Sequence, residues 1–173
     1  MKKRIILRPG AVLEIPLEKK YISYCRVLES NSFAFYDLRV KKPIQDIEQI
    51  LSAPVLFITL IYMDSAKERW TKVGFHSLKK SPQEIPPLFT QNVLNLKEFK
   101  IHYHDGTIKK ATKEEVIGLE RFAAWEAWAI EERLNDHFAG RKNKYVEEMR
   151  NPDLYRKDVK MYPERVKKLI EGL

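Results

Sequence analysis

The chain of 173 residues is long enough for a domain with its own hydrophobic core. With 44% hydrophobic and 32% charged residues it has the composition of a globular protein, which excludes a disordered chain. The longest apolar run, Val55 to Met63, is too short for a membrane-spanning helix of roughly 20 residues, so we expect no transmembrane segment.

The formal net charge of +8 permits attraction to nucleic acid, to an anionic membrane surface or to an acidic protein. The basic residues are dispersed over turns and chain ends, which favours solvated surface over a binding stripe. The apolar run behind the basic start ends at Arg8, too early for a signal peptide. The single cysteine, Cys25, cannot form an internal disulfide, and we expect it to be buried rather than nucleophilic. These features predict a cytoplasmic protein.

Three short strands joined by polar turns are predicted near the start of the chain. Alternating residues from Ala11 to Leu17 indicate a half-buried strand, and Lys19-Lys20 lies at the turn that follows it. The third strand carries Phe33 and Phe35 on one face and Tyr36 on the other. We therefore expect both faces of this strand to be covered.

A short amphipathic helix, a buried strand and a further strand are predicted next. Isoleucines at helical spacing indicate the helix between Pro43 and Ser52. Val55 to Met63 is a run of strand-forming residues, which predicts the central strand of a sheet. Asp64 to Arg69 is predicted to be a loop or a single helical turn. Trp70 to Leu78 resumes a strand, with an irregularity at Gly74.

The clearest hairpin of the sequence surrounds Asp105-Gly106. The proline-rich residues 81–87 precede it and predict an extended connection. Phe99 to His104 and Thr107 to Ala111 then flank the Asp-Gly pair, which is typical of a type I′ turn.

Helices are predicted for the last third of the chain. Thr112 to Glu115 has the form of a capping box, which predicts the start of a long helix reaching Ala139. Its broad apolar stripe includes Trp125 and Trp128, which we expect to be buried. Two further short helices are predicted, at Asn143–Asn151 and Pro163–Leu173.

These elements predict an α+β fold. A small, strongly bent antiparallel β-sheet or barrel is followed by a long helix and two short C-terminal helices. We expect two domains: a β-rich one at residues 1–112 and a helical C-terminal extension packed on it at residues 113–173.

No catalytic or cofactor motif accompanies this fold. The sequence has no glycine-rich phosphate loop, no paired-histidine zinc motif and no nucleophile elbow. His102 and His104 share a strand face beside Asp105, and they could ligate a metal if His76 or His137 came close. Because a metal site needs at least three converging ligands, we favour ordinary hairpin histidines. We expect no catalysis, no cofactor and no metal.

The order of several segments resembles the immunity protein 26 family of bacterial polymorphic toxin systems. The similarity covers roughly Arg4 to Thr112. It rests on these segments in this order: VLEIPL, YISYCRVL, FAFYDL, IQDIEQIL, SAPVLFITLIYM, ERWTKVGFHSL and IPPLFTQN.

The resemblance implies a non-catalytic immunity protein that binds and sterically neutralises a cognate bacterial toxin. Such binding uses a few aromatic and arginine anchors ringed by matched charges. The matching segments offer six candidates for partner binding: Tyr21, Tyr36, Asp37, Arg69, Trp70 and His76. For Trp70 a core position is the favoured interpretation, and an anchor for a partner is the alternative.

Two other functions stay open at this stage. A pI near 9.4 and the aromatic content favour a small-barrel nucleic-acid-binding protein. The tryptophan-rich helix favours a structural homo-oligomer. A basic chain is also an unusual inhibitor for a basic, nucleic-acid-degrading toxin, so its toxin needs an acidic patch or another activity. The identity of the toxin and the oligomeric state are left open.

Overall fold

The computed structural model describes residues 6–80 and 83–153, which fall into two compact units. Among the described residues, the first unit comprises residues 6–80, 83–86 and 123–143, and the second comprises 87–122 and 144–153. The predicted helix at Pro163–Leu173 lies outside the described residues. The chain passes from one unit to the other after residues 86, 122 and 143 and not at residue 112. The predicted division into two domains stays a prediction. No helix in the described ranges is long and apolar enough to cross a membrane.

The first unit contains a five-stranded antiparallel sheet. Its strands follow the spatial order β4-β3-β2-β1-β5, so the first three strands of the chain are neighbours. The strands are β1 at Ala11–Pro16, β2 at Ile22–Val27, β3 at Ser32–Tyr36, β4 at Val55–Leu60 and β5 at Thr71–Phe75.

Three helices cover this sheet on both faces. They are α1 at Ile47–Leu51, α2 at Met63–Arg69 and α3 at Ala127–Phe138. On one face Tyr36 packs in a buried cluster with Ile50 of α1. On the other, the rings of Phe33 and Phe35 contact Trp70 edge-on, with centroids 6.1 and 5.9 Å away. The prediction that both faces of the third strand are covered is confirmed.

The first strand is more deeply buried than its alternation predicts. Val12 and Leu13 point to opposite faces of β1, and both are fully buried. The prediction of a half-buried strand was therefore wrong, because α1 packs on the face that carries Val12, which the alternation predicts to be the less buried face.

The apolar run from Val55 to Met63 is an edge strand and not the central one. β4 ends at Leu60, and Tyr62 already caps α2. The amide of Trp125 donates to Leu60 O (2.8 Å), and the amide of Tyr62 donates to Trp125 O (3.0 Å). The backbone just before α3 therefore pairs with the end of β4. Except for the buried Thr59, the side chains of β4 are only half-buried, so the prediction of a strand buried on both faces was also wrong.

The irregularity predicted at Gly74 is confirmed. Val12 pairs with Gly74 but Leu13 pairs with Lys72, so β5 has one extra residue opposite β1. A Cβ at Gly74 would lie 2.7 Å from Ile47 Cγ1. The absence of a side chain therefore lets α1 pack closely on β5.

The second unit contains a smaller sheet of order β8-β7-β6-β9. Its β6–β7 and β7–β8 pairs are antiparallel, whereas β6 and β9 run parallel. A buried core of Phe89, Phe99, Ile101 and Val116 packs within this unit. Its elements are β6 at Leu88–Gln91, β7 at Phe99–His102, β8 at Ile108–Ala111, β9 at Glu120–Arg121 and α4 at Lys144–Arg150.

The α+β class is confirmed, but the single bent sheet or barrel is not. The strands divide into two sheets, and neither closes into a barrel within the described residues. The sequence pattern shows which residues form strands, whereas the partner of each strand depends on contacts distant in the chain.

The long helix expected from Thr112 begins only at Ala127. The capping-box contacts do form: the Thr112 amide donates to Glu115 Oε2 (2.7 Å) and the Glu115 amide donates to Thr112 Oγ1 (3.4 Å). They close a turn, because Gly118 takes a φ of +89° and residues 120–121 pair with β6. The prediction was wrong because strand pairing outcompeted a local helix signal.

The two tryptophans expected to be buried differ in the structure. Trp125 is only 4% exposed, as predicted, whereas Trp128 is 46% exposed and corrects the prediction. With α3 starting at Ala127, its buried side runs through Ala127, Ile130 and Leu134, and Trp128 lies about 100° around the helix from Ala127, away from the other two. The short helix predicted at Asn143–Asn151 is confirmed as α4.

The Asp-Gly hairpin is confirmed with a different turn. The Gly106 amide donates to Tyr103 O (3.1 Å), and the φ of Gly106 is +87°, but Asp105 does not share a positive φ. This is a three-residue loop with glycine in the left-handed position rather than the expected type I′ turn.

Candidate partner-binding surface

Three segments of the first unit converge at the C-terminal end of α3. The backbone of Ile22 exchanges two hydrogen bonds with Val40 (2.8 and 2.9 Å), which holds residues 37–41 beside β2. The Glu18 amide donates to Asn135 Oδ1 of α3 (3.2 Å). We call the result the α3-end surface, and it consists of Lys19, Lys20, Tyr21, Asp37, Arg39, Lys41, His137 and Phe138.

Arg39 is held between two aromatic rings of this surface. Its guanidinium carbon lies 4.6 Å from the ring centroid of Tyr21 and 5.2 Å from that of Phe138. Its Nη1 also donates to Phe138 O (3.4 Å), at the end of α3 where cations are favoured. Lys41 Nζ lies 5.4 Å from the Tyr21 centroid. Cation–π contacts therefore hold an exposed arginine in a defined position.

Asp37 is positioned on the same surface by His137. Its Oδ1 lies 3.2 Å from His137 Nε2, and both side chains remain accessible to solvent. An exposed pair of this kind contributes little to stability, between about 0 and 1 kcal/mol. Its clearer effect is to fix where the carboxylate of Asp37 stands.

The turn Lys19-Lys20 has an unusual backbone for its residues. Their φ angles are 55° and 60°, and the Tyr21 amide donates to Glu18 O (3.1 Å), which defines a type I′ turn. Asn-Gly is the preferred pair there, because the left-handed conformation costs an ordinary residue about 1–2 kcal/mol. The chain thus places two exposed lysines where neither is locally favoured.

A second turn of the same kind joins β2 to β3. Ser30 and Asn31 have φ angles of 54° and 58°, and the Ser32 amide donates to Glu29 O (3.0 Å). Asparagine tolerates this conformation better than lysine does. The two hairpins of one sheet therefore have the same kind of turn, which carries two lysines in one hairpin and two uncharged residues in the other.

Arg69 and Trp70 meet at Glu131 of α3. Arg69 Nε and Nη2 donate to the two carboxylate oxygens (2.8 and 2.6 Å), and Trp70 Nε1 donates to Oε1 (3.0 Å). Hydrogen bonding to Glu131 raises the pKa of Arg69. Trp70 is 3% exposed, whereas the side chain of Arg69 is 45% exposed.

Tyr36 and His76 both lie beside the buried Arg26. Arg26 Nη2 donates to Ser77 O (2.8 Å) and to His76 O (3.2 Å), and it lies 3.3 Å from His76 Nδ1. Because a guanidinium only donates, His76 Nδ1 accepts here, and Nε2 faces Glu48 Oε1 at 3.2 Å. Burial raises the pKa of Tyr36, and the charge of Arg26 opposes that rise.

The six predicted residues thus form three pairs. Tyr21 and Asp37 lie on the α3-end surface, Arg69 and Trp70 meet at Glu131, and Tyr36 and His76 flank Arg26. The first two pairs both adjoin α3, whose residues 131 and 138 are about 10 Å apart along the axis. The role of the six in binding stays a prediction.

Sequence reasoning missed Arg39, Lys41 and Phe138 as members of one surface. No spacing links them, because they are brought together by a β-bridge and by the end of a helix. A signal existed only for Lys19-Lys20, which occupies a tight hairpin turn without glycine or asparagine.

Other reactive side chains are occupied or buried. His102 Nε2 lies 2.8 Å from Thr90 Oγ1, and its ring lies 4.9 Å from that of Phe122. Burial raises the pKa of the Cys25 thiol well above its usual value, so the thiolate nucleophile is disfavoured. Across residues 6–80 and 83–153, no group of three or more histidine, cysteine or carboxylate side chains could hold a metal ion.

Residues 8–100 match the family model described as Immunity protein 26, and this range covers more than half of the chain. It includes all six predicted partner-binding residues. Neither a curated protein nor a solved structure matches the chain.

Proposed function

Because the chain belongs to the immunity protein 26 family, we propose that it binds a cognate bacterial toxin and neutralises it by steric blockade. The protein carries out no reaction and uses no cofactor in this role. It acts in the cytoplasm, where it protects the cell that makes both proteins.

One observation supports this proposal beyond the family: the fixed position of Arg39 between Tyr21 and Phe138. Arginine and tyrosine dominate binding hot spots, because they bury large contact areas and donate directed hydrogen bonds. An arginine already ordered by aromatic contacts loses less side-chain entropy on binding than a free one. The α3-end surface is therefore suited to tight protein binding.

The six residues identified from the sequence have two kinds of role in this proposal. Tyr21, Asp37 and Arg69 have accessible side chains and contact the toxin directly. The remaining three, Tyr36, Trp70 and His76, support the surface from inside the first unit.

Co-expression with a toxin tests the function. A candidate toxin domain, sought in the genes adjacent to this one, is induced in a sensitive host, with or without the immunity protein. We expect growth to be restored only with the immunity protein, and the two proteins to co-purify. Continued killing together with no complex would refute the proposal.

A second candidate function, nucleic-acid binding, is favoured by one feature of the second unit. Lys100 and Lys110 face each other across β7 and β8, and both are exposed. Like charges in that arrangement destabilise a sheet, and a bound phosphate chain relieves their repulsion. Submicromolar binding of an oligonucleotide near 0.15 M salt, falling steeply as salt rises, would support this alternative.

A further inference from the structure

We infer that the α3-end surface is the face that binds the toxin, and that it recognises an acidic patch on the toxin. This inference rests on the proposed function and adds the location and the chemistry of the contact. At one side of this surface, the Lys19-Lys20 turn places two exposed lysines in the left-handed conformation.

The strain at Lys19-Lys20 identifies a residue choice that stability does not explain. Both lysines have the left-handed φ angles that Asn-Gly adopts readily, and both side chains are exposed. Residues held in costly conformations concentrate at functional sites, where their side chains serve another purpose. Placing two positive charges at the tip of a hairpin is such a purpose.

The charges around this turn define the partner. The four exposed cations of the α3-end surface, Lys19, Lys20, Arg39 and Lys41, outnumber the exposed carboxylates of Asp37 and of the adjoining Glu18. Since Asp37 is paired with His137, the surface presents an excess of positive charge. A partner with clustered carboxylates complements it and is steered towards it during association.

An acidic protein fits this surface better than a nucleic acid does. Single strands bind by stacking bases on free aromatic faces, but the Tyr21 ring already contacts Arg39 and Lys41. The carboxylates of Glu18 and Asp37 also lie among the cations, where they repel a phosphate chain. A protein partner can offer a donor to each of them.

Two matched double variants test the inference. Lys19→Asn with Lys20→Gly removes both charges and relieves the turn, whereas Ser30→Asn with Asn31→Gly relieves the neighbouring type I′ turn and removes no charge. We expect both variants to melt at a higher temperature than the unmodified chain. The raised melting temperature shows that any loss of binding is not a loss of folding.

Binding of each variant is measured against the purified candidate toxin domain that is used in the co-expression test. We expect the Lys19-Lys20 variant to lose about tenfold or more in affinity, mostly through slower association, and to show a weaker salt dependence. The Ser30-Asn31 variant should bind like the unmodified chain. A third variant, Arg39→Gln, should also bind weakly while keeping the turn intact.

The outcomes distinguish a failure of the proposed function from a failure of this inference. If the unmodified chain does not bind the toxin domain, the proposed function is wrong. If the unmodified chain binds and the Lys19-Lys20 variant retains both affinity and salt dependence, this inference is overturned while the proposed function stands. Tight binding of single-stranded oligothymidylate that the Lys19-Lys20 variant loses would instead assign the surface to nucleic acid.

Discussion

Glu131 holds the guanidinium of Arg69 in a bidentate pair, with nitrogen–oxygen distances of 2.8 and 2.6 Å. The same carboxylate accepts the indole N–H of the buried Trp70 at 3.0 Å. One side chain of α3 therefore fixes both the end of α2 and the residue before β5.

Glu131→Gln should lower the free energy of unfolding by about 1 kcal/mol, because Arg69 is partly exposed and solvent screens much of its charge. Urea denaturation measures the change. Glu132→Gln removes the same charge one residue along α3 and is the matched control. Equal losses in the two variants would contradict a specific role for the Glu131 contacts.

Trp125 and Trp128 should respond very differently to truncation. Trp125→Ala removes a side chain that is 4% exposed and should cost about 3–5 kcal/mol of unfolding free energy. Trp128→Ala removes one that is 46% exposed and should cost less than about 1 kcal/mol. Thermal unfolding with light scattering measures both. If Trp128→Ala instead abolishes a dimer, the homo-oligomer interpretation of α3 is favoured.

Gly74→Ala should destabilise the first unit by about 1–3 kcal/mol, since the added Cβ would lie 2.7 Å from Ile47 Cγ1. Ile47→Ala removes that atom, so the double variant should be less unstable than the sum of the single ones. A double-mutant cycle by chemical denaturation measures this coupling. Simple additivity would show that the β5 backbone, and not the contact with α1, resists a side chain.

His102 should make stability depend on pH near neutrality. Burial, with the nearby charge of Lys100, lowers the pKa of His102 from its usual 6.5. The unfolded chain then takes up the proton more readily than the folded one, so the free energy of unfolding should fall as the pH drops through 6.5 and level off below the folded pKa.

Denaturation from about pH 8 to about pH 5 measures this dependence. His102→Gln should flatten the curve over that range, whereas His104→Gln removes a histidine from the same hairpin and serves as the comparison. An unchanged slope in His102→Gln would assign the pH dependence to other groups.

Much of the local structure could be predicted from neighbouring residues alone. The Phe33, Phe35 and Tyr36 alternation, the irregularity at Gly74 and the hairpin at Asp105-Gly106 are all confirmed. Each depends on side-chain period, on a missing Cβ or on a turn residue, which are properties of a short stretch of chain. The family match follows from the same ordered segments.

The wrong predictions concern elements whose structure depends on segments distant in the sequence. The Thr112–Glu115 contacts are those of a helix start, yet residues 120–121 pair with β6 and no helix forms until Ala127. The run beginning at Val55 is almost entirely apolar, yet β4 lies at the edge of its sheet and most of its side chains are only half-buried. Neither outcome can be obtained from local preference, because strand pairing adds hydrogen bonds that a local signal cannot anticipate.

The α+β class, the order of most strands and turns along the chain, and the family all follow from the amino-acid sequence. Which side chains share a surface depends on how distant segments pack. Tyr21, Arg39 and Phe138 come from a hairpin, a β-bridge segment and a helix end, and they meet because the chain folds back on itself. Such contacts depend on the closure of long loops, and sequence periodicity carries no information about them.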